Sequence, residues 1–102
     1  MRDIDMLLRK MLSVSDEEVR EAEREIVEEI RERQRHIADL AQLLANLYNY
    51  AERAMSLRQY NMVADALSRT DALRDDLGKA CEEERSIREK FLEVRGKVRY
   101  YE

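Results

Sequence analysis

Four side chains that can coordinate a metal ion, Glu29, Glu32, His36 and Asp39, follow one another at intervals of three or four residues. At this spacing, side chains share one face of a helix. Helical di-iron bundles use Glu-x-x-His motifs on two helices together with further inward-facing glutamates. Here the interval from Glu32 to His36 is one residue longer, and the chain has one histidine. We therefore predict a solvated helix face with ion pairs between successive turns, and a metal-binding bundle is a distant alternative.

Nucleophilic catalysis would require a nucleophile beside a base. Cys81 is the one cysteine of the chain and His36 its one histidine, and the pattern gives His36 acidic neighbours rather than a nucleophile. Neither Gly78 nor Gly96 belongs to a glycine-rich phosphate-binding loop. We therefore predict a protein that is not an enzyme and has no catalytic residue, cofactor or metal. A single cysteine is typical of a reducing compartment, so we expect the cytoplasm.

These residues lie in two long stretches in which apolar positions recur every three or four residues, the period of an amphipathic helix. We call these positions the seam. In the first stretch they are Val19, Glu23, Ile26, Ile30, Arg33, Ile37, Leu40, Leu44, Leu47, Ala51 and Ala54. In the second stretch they are Val63, Ala66, Thr70, Leu73, Leu77, Ala80, Glu84, Ile87, Phe91, Val94, Val98 and Tyr101.

The two stretches match when the chain folds back near Arg58 and Gln59. Among the seam positions, the only cation of the first stretch, Arg33, then faces the only anion of the second, Glu84. This antiparallel match is typical of a coiled coil. We predict an all-α fold, with a short N-terminal helix and a long, coiled-coil-like antiparallel hairpin in a single domain over residues 1–102.

A polar pair inside an apolar seam can set the register of two helices. Slipped or parallel alignments would bury its charges without partners. We therefore predict that Arg33 and Glu84 are a register-setting pair. The alternative is a buried pair that binds a ligand or exchanges a proton.

Three helices are predicted, over residues 3–12, 16–57 and 60–100. No glycine or proline marks the reversal between the second and the third. The turn therefore follows from the register alone, and one helix continuing through it is the alternative.

The start of the second helix has a specific signal. Ser15 and Glu18 form a capping box, in which the hydroxyl accepts from the Glu18 amide and the carboxylate reaches back to the Ser15 amide. Val14 and Val19 flank it as a hydrophobic staple. This motif predicts a helix beginning at residue 16.

Composition limits the kinds of partner. Charged residues make up 41% of the chain, with two glycines and no proline, which is typical of long helices. The net charge of −4 argues against nonspecific binding to nucleic acid, and the basic run over residues 85–99 is expected to face the acidic run over residues 16–32. The chain has neither an apolar run of roughly 20 residues nor a signal-peptide pattern. We therefore predict no nucleic-acid partner and no membrane partner.

Large apolar side chains are concentrated beside the seam near the reversal, at what we call the wide end. Two helices cannot bury all of them, and a short N-terminal helix cannot reach them. Aromatic residues and methionine are favoured in protein interfaces. The predicted interaction surface is Leu43, Tyr48, Tyr50, Met55, Leu57, Tyr60, Met62 and Leu67.

The function predicted from these features is a non-enzymatic interaction module that presents a helical surface to a protein partner. Such a module would be a small regulatory inhibitor, an adaptor or an engineered helical scaffold. A purely structural homo-oligomerisation module is the alternative, and a homodimer forming a four-helix bundle is expected in either case. The dense Glu and Arg surface fits design, whereas Cys81 and five methionines fit natural origin.

Overall fold

The computed structural model describes residues 2–98. These residues form three helices, α1 (Ile4–Lys10), α2 (Asp16–Ser56) and α3 (Tyr60–Lys97), and contain no strand. α2 and α3 pack against each other as a hairpin. The predicted fold class, a short helix followed by two long packed helices, is therefore confirmed.

The helix bounds differ from the prediction mainly at their ends. α1 is shorter because Asp3 is its N-cap, with a carboxylate that accepts from the Met6 amide, and because the chain leaves the helix after Lys10. α3 ends at Lys97, and the last predicted residues, 99 and 100, lie outside the described part of the chain. Tyr101 of the seam lies outside it too.

The capping box at the start of α2 is half formed. The Glu18 amide donates to the Ser15 hydroxyl at 3.4 Å, as predicted. The Glu18 carboxylate instead accepts from the Ser13 hydroxyl at 2.7 Å, and the Ser15 amide donates to that same hydroxyl. The predicted staple is wrong, because Val14 is 94% exposed and cannot pack on Val19. Ser13 thus takes over part of the capping role.

The reversal after α2 is a Schellman turn, so the helix does not continue through it. The Gln59 amide donates to the Ala54 carbonyl at 2.9 Å, and the Arg58 amide donates to the Met55 carbonyl at 3.0 Å. These are the two hydrogen bonds that define the motif. Arg58 has a φ of 57°, the left-handed conformation that glycine adopts most easily.

The contacts between residues divide the described part of the chain into two compact units. The first unit contains residues 2–34 and 83–98, and the second contains Arg35–Glu82. In each unit, every described seam residue is buried or half-buried. The apolar period therefore predicted the packed face of both long helices correctly.

The first unit has a core of large side chains, to which α1 contributes. Leu7, Leu8 and Met11 pack in one cluster with Ala22, Ile26, Ile30 and Phe91. Met11 and Ile26 are fully buried. The prediction that the N-terminal helix packs on the hairpin is therefore confirmed.

The second unit has a core of small side chains. Its buried residues are Ala51, Ala54, Val63, Ala66 and Thr70. The larger seam residues Ile37, Leu40 and Leu73 are half-buried. This unit buries little apolar volume for its length.

Candidate functional site

The predicted interaction surface lies entirely in the second unit. All eight of its side chains are exposed, with between 41% and 62% of their surface accessible. Burying a large apolar side chain contributes about 1.5–3 kcal/mol, so a partner that covered these side chains would be bound favourably. Exposed apolar groups this close together are typical of interaction surfaces.

Helical geometry divides these side chains between two sides of the hairpin. On α2, Tyr48 and Met55 lie seven residues apart on one flank of the seam, and Leu43 and Tyr50 lie at the same interval on the other. Leu57, in the turn directly after α2, continues the second spacing. In an antiparallel pair each flank of one helix meets the same flank of the other. Face A is therefore Tyr48, Met55, Tyr60 and Leu67, and face B is Leu43, Tyr50, Leu57 and Met62.

A hydrogen bond supports this assignment. Arg74 lies seven residues after Leu67, on the face A flank of α3, and its guanidinium donates to the Tyr48 hydroxyl on α2 at 3.4 Å. The bond is long, and both side chains are exposed. It places the face A flanks of α2 and α3 on the same side of the hairpin.

The borders of the two faces differ in chemistry. Face A is bordered mainly by exposed small residues, Ala38, Ala41, Ala45, Ala64 and Gly78. Face B is bordered mainly by exposed charged residues, Asp39, Arg53, Asp65, Arg69, Asp76 and Lys79. Small residues let another backbone approach closely, whereas charged residues must be desolvated or paired on contact. Face A is therefore the better surface for close packing.

The register-setting pair has different partners from those predicted. Arg33 pairs with Glu83 at 2.9 Å and with Glu29 at 3.3 Å. Glu84, which is 7% exposed, accepts from Arg88 at 2.9 Å and from Gln34 at 3.3 Å. Among the described residues Arg33 and Glu84 therefore do not pair directly. Both lie at the seam as predicted, and their role in setting the register remains a prediction.

Acidic residues of α2 pair with Arg2, which precedes α1, a cation outside the basic run of α3 that is predicted to face them. Arg2 pairs with Glu28, Glu29 and Glu32 at 2.9–3.1 Å. Hydrogen bonds to Glu32 and then Glu29 raise the pKa of Arg2 above its ordinary value. A cation just before α1 thus holds this segment against α2.

The basic run on α3 forms ion pairs within its own helix. Arg88 pairs with Glu84 and Lys97 with Glu93, each one turn away. Partners on the same helix are favoured over acidic residues of α2, because one helical turn already brings two long side chains together. The expected match between the acidic and basic runs is therefore replaced, at these residues, by local pairs.

The other candidate residues form no reactive cluster in the described chain. Over residues 2–98, no three His, Cys, Asp or Glu side chains come together in a way that could hold a metal ion. His36 and Asp39 are exposed, Glu29 and Glu32 pair with Arg2, and Cys81 is a half-buried free thiol. In the same residues, no helix is both long and apolar enough to cross a membrane.

Sequence reasoning missed the roles of Arg2 and Arg74. Arg2 lies outside any helical repeat, so periodicity gives no hint of its distant partners. Arg74 could have been found, because it continues the seven-residue spacing of Tyr60 and Leu67 on α3. An arginine on an apolar flank is a signal for a hydrogen bond to a neighbouring tyrosine.

No family model, curated protein or solved structure matches this chain.

Proposed function

We propose that this protein is a non-enzymatic interaction module that presents the helical surface of its wide end to a protein partner. One observation carries the proposal. In the second unit the small seam residues are buried, whereas the eight large apolar side chains beside them are exposed. These exposed side chains contribute hydrophobic stabilisation only when another surface buries them.

The chemistry of the surface indicates a protein partner. Tyrosine and methionine are favoured at interfaces, where their size and adaptability provide contact area. Seven of the eight surface residues lie on α2 and α3, which suits helix-on-helix packing. We further propose that the protein acts as an inhibitor or adaptor, or as an engineered scaffold, and not by catalysis.

Photo-cross-linking from single positions tests this function. A photoreactive residue at Tyr50 or Tyr60 should form adducts with a protein other than a second copy of this chain, and those adducts should be lost when this chain, without the photoreactive residue, is added in excess. The same probe at Asn49 or Ser68, on the outward faces of the helices, is the matched control. Adduct yields that are equal at all four positions, or absent at Tyr50 and Tyr60, would contradict the proposal.

A purely structural homo-oligomerisation module is the second candidate, favoured by the small core of the second unit. Replacing Tyr50 and Tyr60 with alanine separates the two. Loss of self-association with the helical content retained favours the oligomerisation module. Loss of a different protein from an intact oligomer favours the interaction module.

A further inference from the structure

Face A is two helices wide. Tyr48 and Met55 come from α2, and Tyr60 and Leu67 come from α3. A helix with its side chains is about 10–12 Å across, so two packed helices cover both rows of side chains more completely than a single helix lying in the groove between them. The occupant that fits the whole face is itself a pair of packed helices.

The area of face A suits a symmetric interface. Its four large side chains have exposures of 41%, 52%, 61% and 45%. With roughly 200 Å² per large side chain, they offer about 400 Å². A stable interface uses about 800 Å² from each partner. These four side chains alone thus provide about half of one side of a dimer interface, and the bordering alanines and the alkyl part of Arg74 add to that area.

Large and small residues are separated along face A. The large ones lie towards the turn, and Ala41 and Gly78 lie away from it. A Cβ atom added at Gly78 would meet no neighbour within 4 Å, so packing within this chain does not require a glycine there. Glycine in a helix interior lowers stability relative to alanine. Space above Gly78 and Ala41 is therefore available to large side chains of another molecule.

We propose that face A binds face A of a second copy of this chain, and that the two turn ends form an antiparallel four-helix bundle. This inference rests on the proposed function of the wide end. A two-fold axis across the hairpin at the height of Tyr48 places Tyr48 against its own counterpart. Met55 then packs over Ala41 of the second copy, because the two lie equally far from Tyr48 along α2.

The same axis packs α3 against α3 of the second copy. Arg69 is at the height of Tyr48 in the register predicted from the seam, which sets Arg33 opposite Glu84, because the two pairs of residue numbers have the same sum. Tyr60 and Gly78 lie equally far from Arg69, so each Tyr60 ring covers the Gly78 of the other copy. A parallel arrangement would instead stack Met55 on Tyr60 and leave Gly78 uncovered.

Charge agrees with this arrangement. Face A and its border carry three charged residues, Glu52, Asp71 and Arg74. The two-fold axis brings Arg74 within one residue of the height of Glu52 of the second copy, and Asp71 stays at the outer edge. Face B, with its charged border, points away from the bundle and stays free for a different protein.

Sedimentation equilibrium with matched variants tests the packing. Filling both small positions, with Ala41→Gln and Gly78→Gln, should weaken dimerisation by at least about tenfold, because the added side chains occupy the space for Met55 and Tyr60. Both changes suit an isolated helix, so the monomer should keep or gain thermal stability. The control is Ala72→Gln with Gly96→Gln, which adds the same atoms outside face A and should leave Kd within about twofold.

Cysteine cross-linking tests the symmetry. In a Cys81→Ser background, Tyr48→Cys should be joined to the same residue of a second copy by a short bismaleimide, because it lies on the axis. Tyr50→Cys, on face B, is the control and should remain uncoupled. Cross-linking at Tyr50 alone, or a dimer without cross-linking at Tyr48, overturns the proposed arrangement.

A chain that stays monomeric up to about 100 μM, well above the range of a specific dimer, overturns the second copy as partner. The proposed function would then be decided separately by the photo-cross-links to another protein. If those are absent too, both proposals fail. A dimer weakened equally by the face A variants and their controls also contradicts the inference.

Discussion

At the scale of single residues, Arg58 carries the clearest strain. It is the residue in the left-handed conformation at the Schellman turn, where a side chain costs about 1–2 kcal/mol. We predict that Arg58→Gly raises the free energy of unfolding by up to about 1 kcal/mol, the gain being reduced by the greater freedom of glycine in the unfolded chain. Chemical denaturation measures it.

Gln59→Gly is the control for this substitution. Gln59 follows directly but is not in the left-handed conformation, so glycine there should be neutral or destabilising. Equal effects of the two substitutions would contradict the assigned role of Arg58. Sequence inspection cannot find such a residue, because a non-glycine residue at this position has no characteristic pattern.

Glu84 leads to a second prediction at this scale. Its carboxylate is nearly buried and depends on Arg88, with Gln34 as a further donor. Arg88→Leu should therefore lower the free energy of unfolding by about 1–3 kcal/mol, since a buried charge loses its partner. Arg33→Leu should cost less, about 0–1 kcal/mol, because Arg33 pairs with the exposed Glu83 and with Glu29.

Urea titration of the two single variants and of Arg88→Leu with Glu84→Leu checks this order. The double variant should recover most of the loss, because it removes the unpaired carboxylate. A greater loss for Arg33→Leu than for Arg88→Leu would restore the pairing first expected from the sequence. That pairing was unpredictable in detail, because Arg33 and Glu84 each have several partners within reach of a long side chain.

At the scale of elements, the sequence predicted which faces of the helices are buried, but not the contacts at the start of α2. The seam was found from periodicity because an apolar stripe must face another element. Val14 shows the limit of local motifs. A staple requires the chain before the helix to turn back, and here Ser13 takes the hydrogen bonds and leaves Val14 in solvent.

The docking of α1 gives a prediction at this scale. Met11 is fully buried in the core of the first unit, whereas Leu12 is 56% exposed. We predict that Met11→Ala lowers the free energy of unfolding by about 2–4 kcal/mol, because it leaves a cavity among large side chains. Leu12→Ala should change it by less than about 1 kcal/mol. Similar losses measured by denaturation would contradict the packing of α1.

At the scale of the whole molecule, the two units differ in how much of their large apolar side-chain surface they bury. The first unit buries Ile26 and Phe91 with α1 packed beside them, and Arg2 adds ion pairs to α2. The second unit buries alanine, valine and threonine and leaves its aromatic residues outside. Both cores follow the predicted seam, so the difference lies in what covers the flanks.

Hydrogen exchange at two protein concentrations measures this difference. At low concentration, amides in Arg35–Glu82 should exchange faster than those of α2 and α3 in the first unit, because few apolar contacts oppose local opening. Raising the concentration should slow exchange in Arg35–Glu82 and leave the first unit unchanged, since association stabilises only the unit it covers. Equal protection of both units at low concentration would show that the small core is sufficient, and the wide end would then need no partner for its stability.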